Sequence, residues 1–510
     1  MRGVRAGLLA AVLVVPVPAT TEASGARAPA ITARPLCVAP ASGAANVNTD
    51  CERDANFFET SVAVNPTNPR NIVGAVIKIG PGGPRRVLVV QPRVSFDGGA
   101  SWATYPVDFG PGTVDPSVAF DAAGTAYLTG TMDGDIGVTR STDGGRTWSS
   151  PVVVAPGSLS PQGGVFNDHP QLTAWGDGHV LVTWIRELFA PHFQLLSAPV
   201  YAAASSDRGS TWSKQSNVSG SAPFCTGRQG GTTCDQTFGN SVAFGRAGAV
   251  VTFQQTYQEE PGGASALGRN RYVAVIVDPR TGARVRGPYL VGQAFDGINE
   301  HDYPVNTEEV QTVHDSQFGL DGMGNVVGDP ADRTSRHFAI VWTDDRNAPH
   351  PVDPDPYQAT TDADIIASQT RDGGRTWSPP AAIRLPNDQF MPWAAYDDQG
   401  RLRVGFFDRS YDPDNHRYGY TLATELSPGS LTFSFAQVST ALSDPTRDSS
   451  ASRQTINPDF PNPAASIGDY TAVAAGPDFI AALWTDLRET GCVGSRCGSR
   501  EDAYFARVPS

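Results

Sequence analysis

The sequence predicts an all-β repeat fold, and three observations lead there. An eight-residue phrase, Ser/Thr-x-Asp-x-Gly-x-Ser/Thr-Trp, occurs four times, at 95–102, 141–148, 205–212 and 370–377. A longer phrase of short apolar strands runs through the chain seven times. No helical period of useful length separates those strands, and 53 glycines with 41 prolines suit a turn-rich chain. Repetition of this kind overrides the prior of roughly three domains that 510 residues would suggest.

The eight-residue phrase has the chemistry of a tight hairpin. Its Asp accepts hydrogen bonds from turn amides, its Gly takes the positive-φ position, and its Trp has a large face to bury beside the turn. A strand-like run precedes each copy, as at Val87–Val90, Ile136–Val138, Val200–Ala204 and Ile365–Ala367. These phrases resemble the Asp-boxes (BNR repeats) of the sialidase superfamily. The resemblance implies a β-propeller, with the boxes on the face away from the active site.

Taken in order, residues 1–23 read as a secretory signal: Arg2 and Arg5, an apolar run from Ala6 to Val17, then small residues. Residues 24–510 read as a single propeller domain. The first strand of each blade is expected at 60–64, 116–120, 170–174, 240–244, 316–320, 392–396 and 469–473. The second, more hydrophobic strand is expected at 71–77, 126–129, 180–184, 249–253, 338–342, 402–407 and 479–484. The third ends in an Asp-box or its relic, the relics being 278–282 and 427–433, and the last copy is 502–508. A fourth strand follows the first six hairpins but not the seventh. An N-terminal strand, Ile31–Val38, is therefore expected to close the last blade, because an open edge is a pairing liability. The expectation is seven four-stranded blades; six, the number in sialidases, is the alternative. The longest insertions are 254–271, 292–313 and 344–364.

The formal charge is −14, and Lys78 and Lys214 are the only lysines. An acidic chain without basic runs argues against a nucleic-acid partner. The apolar run at the amino terminus is short for a membrane span, and no other stretch is long enough. The six cysteines fall in close pairs, Cys37 with Cys51, Cys225 with Cys234, and Cys492 with Cys497. Three local disulfides in a secreted, extracellular monomer is the simplest reading, and a metal role for them is not expected.

In a propeller, first-strand starts and second-strand ends meet on one face around the channel. The expected starts are Glu59, Asp115, His169, Gly239, Asp315, Met391 and Gly468, which gathers carboxylates and a histidine at one mouth. The bland reading of each carboxylate is a turn cap within its own blade. At the second-strand ends, Trp342-Thr-Asp344-Asp-Arg346 matches Trp484-Thr-Asp486-Leu-Arg488, and Phe407-Asp408-Arg409 is close. Such recurrence points to Asp–Arg pairs holding loops. Blade three departs from it with Arg186 and Glu187, which makes those two better functional candidates.

The resemblance implies sialidase-like catalysis, with arginines on a substrate carboxylate, a Tyr/Glu pair and an Asp acid/base. The Arg-Ile-Pro signature of such enzymes is missing, so no sialidase catalytic residue is carried over. A general glycosidase needs two carboxyls, one with a raised pKa. The catalytic candidates are Asp168, Glu187 and Tyr411. The substrate-binding candidates are Glu59, Asp115, His169, Arg186, Arg346, Arg409 and Arg488. The expected function is a secreted glycoside hydrolase acting on extracellular carbohydrate. The alternatives are a non-catalytic glycan- or protein-binding propeller and a polysaccharide lyase, for which His169, His301, His314 and Tyr303 offer residues. No metal or other cofactor is expected; calcium is the one ion that two acidic loops, Asp353/Asp355/Asp362/Asp364 and Asp412/Asp414/Asn415, could take.

Overall fold

The computed structural model describes residues 34–39, 42–80, 88–256, 270–295, 313, 323–347, 361–447, 467–494 and 496–510. The expected signal segment and most of the three long insertions lie outside these residues. So do Asp315, His301, His314, Tyr303, Asp353 and Asp355.

The described residues form seven antiparallel sheets of four strands or more, arranged as the blades of a β-propeller. Blade one runs Asn56–Val64, Ile72–Ile79, Leu88–Ser95 and Ala103–Thr104 from the channel outward. Blades two to six repeat this order. Their second and third strands are long and almost wholly buried, as at Phe338–Asp344 and Asp364–Thr370 in blade five. The hydrophobic core is therefore shared between neighbouring blades. Val73, Ala75 and Val94 of blade one pack on Val118, Phe120 and Leu128 of blade two. Tyr420 of blade six stacks on Trp484 of blade seven, with ring centroids 5.0 Å apart. Each blade has little to bury alone, so stacking builds the core.

Two expected strands differ. The inner strand of blade five is Val326–Gly328; the expected Ser316–Leu320 lies outside the described residues. The last blade is closed by an N-terminal strand, as expected, but that strand is Val47–Asn48, paired with Phe505 and Tyr504. Cys37–Val38, in the segment expected to close it, adds a fifth strand to blade one against Ala103–Thr104. Val47–Asn48 is fixed there by Asp50, just beyond it, which accepts from Ala503 N at 2.6 Å and pairs with Arg93.

All three expected disulfides are present. Cys492–Cys497 closes a hairpin, Thr490–Val493 with Arg496–Ser499, inserted after the second strand of blade seven.

The four eight-residue turns share one set of hydrogen bonds. In the second copy, Asp143 accepts from Arg146 N, Thr147 N, Thr147 Oγ1 and Ser141 Oγ, and Trp148 Nε1 donates to Gly145 O at 3.0 Å. Gly145 has φ +98°, and a Cβ there would lie 2.9 Å from Val94 of the preceding blade. Glycine is thus required by both the turn and the inter-blade contact.

Candidate functional site

The expected strand starts turn out to be β-bulges inside longer inner strands. In blade one the pairing jumps from Phe58↔Ile77 to Ser61↔Ala75, so Glu59 and Thr60 face one partner residue. The same jump follows Val114, Asp168 and Phe390, and after Phe238 a single extra residue, Gly239, is looped out. Each bulge contains a positive-φ residue: Glu59 (+51°), Asp115 (+57°), His169 (+53°), Gly239 (+59°) and Met391 (+50°), and Gly468 matches them at +85°. Pro116, Pro170 and Pro392 follow three of them. A proline inside a strand is tolerated at a bulge because it has no ladder N–H to offer. The prolines made these positions look like strand starts in the sequence.

The bulges carry polar side chains to the channel on the half of the ring away from the eight-residue turns. In blade one the turn begins after Ser95, which pairs with Ile72 beside Val64, whereas Glu59 lies nearer the opposite end, where Asn56 pairs with Ile79. Four carboxylates meet there: Glu59, Asp115, Asp168 and Asp469. Burial pushes the Glu59 carboxyl well up, and Asp115, Asp469 and Asp168 add repulsion. Asp115 is pushed up to about 6 by burial and Asp469, against hydrogen bonds from Asp168 and Thr131. Asp168 is pushed up to about 7 by burial and Asp115. The two carboxyls thus act on each other: Asp168 steadies the charge of Asp115, and that charge favours the protonated form of Asp168.

Four side chains form a chain of contacts beside these acids. His169 Nε2 lies 2.7 Å from Met323 Sδ. The His169 and Tyr470 rings are 5.4 Å apart, and Tyr470 is 5.8 Å from Trp393. His169 is held by its carbonyl, which accepts from Asn240 Nδ2 at 2.7 Å, and burial keeps its imidazole neutral by pushing the pKa down. Tyr470 is 2 % exposed, and burial, together with the Glu59 carboxyl that its Oη faces, pushes its pKa well up; His169 Nδ1 has no hydrogen-bond partner among the described residues. Gly468 is small because Glu59 packs on it: a Cβ there would fall 2.4 Å from Glu59 Cγ.

The structure brings Glu59, Asp115, Asp168 and His169 together, but not the arginines or Tyr411. Arg346 clamps Asp344 through Nε and Nη2 while Trp342 Nε1 donates to the same carboxylate. Arg488, Asp486 and Trp484 repeat that clamp in blade seven. Arg409 is fully buried, 3.5 Å from Asp388, and donates to Asn415 O. These guanidiniums hold loops. Tyr411 shares its hydroxyl with Thr421, which donates to Asp408, and burial raises its pKa to about 12. Arg186 donates to Gln215 and lies over the Tyr201 ring. Glu187 is buried on an extension of blade three, where it pairs with Phe166.

Asp469 and Tyr470 were missing from the candidate site residues. At the matching positive-φ position of blade seven stands Gly468, so the polar groups sit on the next two residues; the signal was that offset, since Asp168 also stands one residue from the positive-φ position of its own blade.

Among the described residues, no group of three or more His, Cys, Asp or Glu is arranged to hold a metal ion. Asp412 is instead closed by Arg417. No helix among them is long and apolar enough to cross a membrane. A hollow of about 360 Å³ opens between blades five and six on the face of the eight-residue turns. Its His337 is engaged by Asp329 and Gln369, and its Asp332 by turn amides and Thr334.

No family model and no curated protein matches the chain. Similar solved structures include a protein of unknown function from Dyadobacter fermentans, 12% identical, covering 93% of this chain and 98% of that one, with a TM-score of 0.46. A Hadza microbial sialidase is 14% identical, covering 69% of this chain and 63% of that one, with a TM-score of 0.38. An ulvan lyase is 13% identical, covering 75% and 80%, with a TM-score of 0.43. At these values the likeness carries no argument about activity, and the reading of the site rests on its own geometry.

Proposed function

We propose that the chain is an exported, sialidase-like Asp-box propeller that hydrolyses glycosidic bonds in extracellular carbohydrate. The observation that carries this reading is the hydrogen-bonded Asp115–Asp168 pair with Glu59 beside it. Asp168, titrating at about 7, is the general acid at neutral pH. Two hydrogen-bonded carboxyls stand too close to flank a scissile bond, where about 5 Å or more is needed. The second carboxyl is therefore Glu59, ahead of Glu187, because Asp168 acts on it electrostatically; burial raises Glu59 as well, so it has to give up a proton before it acts as nucleophile or base. The three disulfides support export of a single domain after loss of residues 1–23. Arg186, Arg346, Arg409, Arg488 and Tyr411 take no part in bond cleavage in this scheme.

The test is a screen of the purified protein against sialosides, uronate polysaccharides and neutral glycans, with and without chelator. Asp168→Asn should lower turnover about 10²–10⁴-fold with the fold intact by circular dichroism. Full activity in that variant removes the assignment, and absence of any product across the panel leaves a binding propeller. One observation favours a second reading, a lyase: neutral His169 lies against Tyr470. An unsaturated uronate product would select it.

A further inference from the structure

The hollow between blades five and six faces away from the channel acids, and four turns wall it: 329–337 and 371–377 of blade five, 397–401 and 426–432 of blade six. At about 360 Å³ it falls within the range of small-ligand sites, about 300–1,000 Å³. Its carboxylates are turned inward. Asp332 accepts from the Thr334, Arg336 and His337 amides, and Asp329 from Ala331 N and His337 Nδ1. Its guanidinium is not. Arg371 lines the hollow, is exposed, and pairs with no carboxylate among the described residues. Gly429, at φ +75°, makes room for it: a Cβ there would fall 2.0 Å from Arg371 Nη2. Arg333, Arg336 and Arg375, on the same two turns, are likewise exposed and unpaired among those residues. Gly373 N donates to Arg336 O at 3.0 Å, which joins the two turns. Where the described chain breaks off inside blades four and five, it does so beyond Gln255–Arg271 and Asp344–Asp364, at the channel end of those blades. Other guanidiniums of the turn face meet a partner: Arg208 with Asp177, Arg401 with Asp397, Arg507 with Asp478, and Arg146 over the Phe96 ring. Arg70 and Arg246 stand singly; blade five carries four. Asp398, beside Gln399, is the exposed acid on the blade-six side, and Asp372 is closed on its own turn.

A guanidinium fork left open beside a ligand-sized hollow is the chemistry of carboxylate or sulfate capture, with two parallel N–H···O bonds. We propose that this hollow is a second glycan-holding site, remote from the reaction centre, that takes an acidic sugar residue: its carboxylate or sulfate on Arg371, with Arg336 beside it, and its hydroxyls toward the Gln399 amide. That the ligand is a glycan rests on the glycan-acting reading above; that it is an anion rests on the turns alone. Such a site holds an acidic polymer on the face away from the channel, so it acts on affinity for the chain and not on bond cleavage.

The test is isothermal titration of the full chain at pH 7 and low salt with a galacturonate tetramer, a sulfated cellotetraose, unmodified cellotetraose, an aspartate tetrapeptide, and sodium sulfate alone. Each acidic sugar tetramer should bind about tenfold tighter than the neutral one, or more. Added salt should weaken the acidic tetramers and leave the neutral one unchanged. Arg371→Ala should remove the acidic advantage and Arg336→Ala part of it, whereas Asp168→Asn at the channel should leave it in place. Equal binding of the neutral tetramer overturns the inference and leaves the glycosidase reading untouched. So does an acidic advantage that survives Arg371→Ala with the fold intact by circular dichroism. Tighter binding of the aspartate tetrapeptide overturns it in favour of an acidic peptide partner, and sulfate alone binding as tightly as the sulfated tetramer leaves an adventitious ion only. Arg371-dependent binding of the acidic tetramers with no product in the activity screen supports the inference and removes the hydrolase reading alone.

Discussion

Asp168 sits where burial and Asp115 both oppose its charge, and the consequence is a pH-dependent stability. Its folded pKa is raised from 3.8 to about 7, so the folded state keeps a proton that the unfolded chain releases near pH 4. Stability is then fully present below that range and is lost as pH climbs to about 7. The loss is on the order of 2–4 kcal/mol for a group shifted this far, less whatever falls to Asp115. Denaturant melts of wild type and Asp168→Asn from pH 4.5 to 7.5 should diverge, with the variant flatter and more stable at the upper end; parallel curves would exclude the held proton. Glu59, Asp115 and His169 were legible as candidates because each breaks an apolar strand with a polar residue at the same repeat position. Arg346 and Arg488 are the loop-holding Asp–Arg pairs to which their recurrence pointed, and their place among the substrate-binding candidates is not supported. Both match a repeat, and the repeat is an Asp–Arg–Trp clamp.

At the scale of the element, the eight-residue turn is a carboxylate wrapped by its own backbone. Asp143→Ala would remove one acceptor from two amides and two hydroxyls, which should cost about 1–3 kcal/mol, read as a lower urea midpoint. A change under about 0.5 kcal/mol would mean that the turn amides find water as easily. Second strands begin within a residue of where the sequence places them, since burial on both faces makes them continuous apolar runs, but they run on past the expected ends, as His179–Ala190 does beyond 184. The inner strands were less legible. Asp115-Pro116, His169-Pro170 and Met391-Pro392 look like breaks before a strand, yet each is a bulge within one, with Thr113, Gly164 and Gln389 already paired upstream. Bulges are set by the twist and crowding of inner strands around a channel, a tertiary cause that local pattern does not carry.

The ring as a whole is clasped twice by one segment. Cys37–Val38 lies on the outer strand of blade one, and Val47–Asn48 lies on that of blade seven. The Cys37–Cys51 disulfide ties the two ends of the segment together. Between them and the inner strand of blade one, Asp50 is fully buried, paired with Arg93 at 2.6 Å and accepting from Ala503 N. Next to it Asp502 pairs with Arg500 at 2.8 Å, yet burial first and Asp50 second push its pKa up to about 8. Arg500 and Arg53 pull it the other way, and Glu489 adds to the rise. The seam thus holds a proton that the open ring would release near pH 4, so closure weakens as pH rises from there through about 8, at up to about 1.4 kcal/mol per unit. Thermal melts between pH 6 and 9 should show the wild type falling and Asp502→Asn falling less. The same variant should slow proteolytic cleavage after Arg53 at pH 8.5, because that residue's carbonyl is held by Arg500 only while the seam is shut. If both proteins melt and nick alike across that range, Asp502 is ionised in the closed ring, and the seam is held there by strand pairing, the Cys37–Cys51 disulfide and the ion pairs of Asp50 and Asp502, with no part played by a held proton.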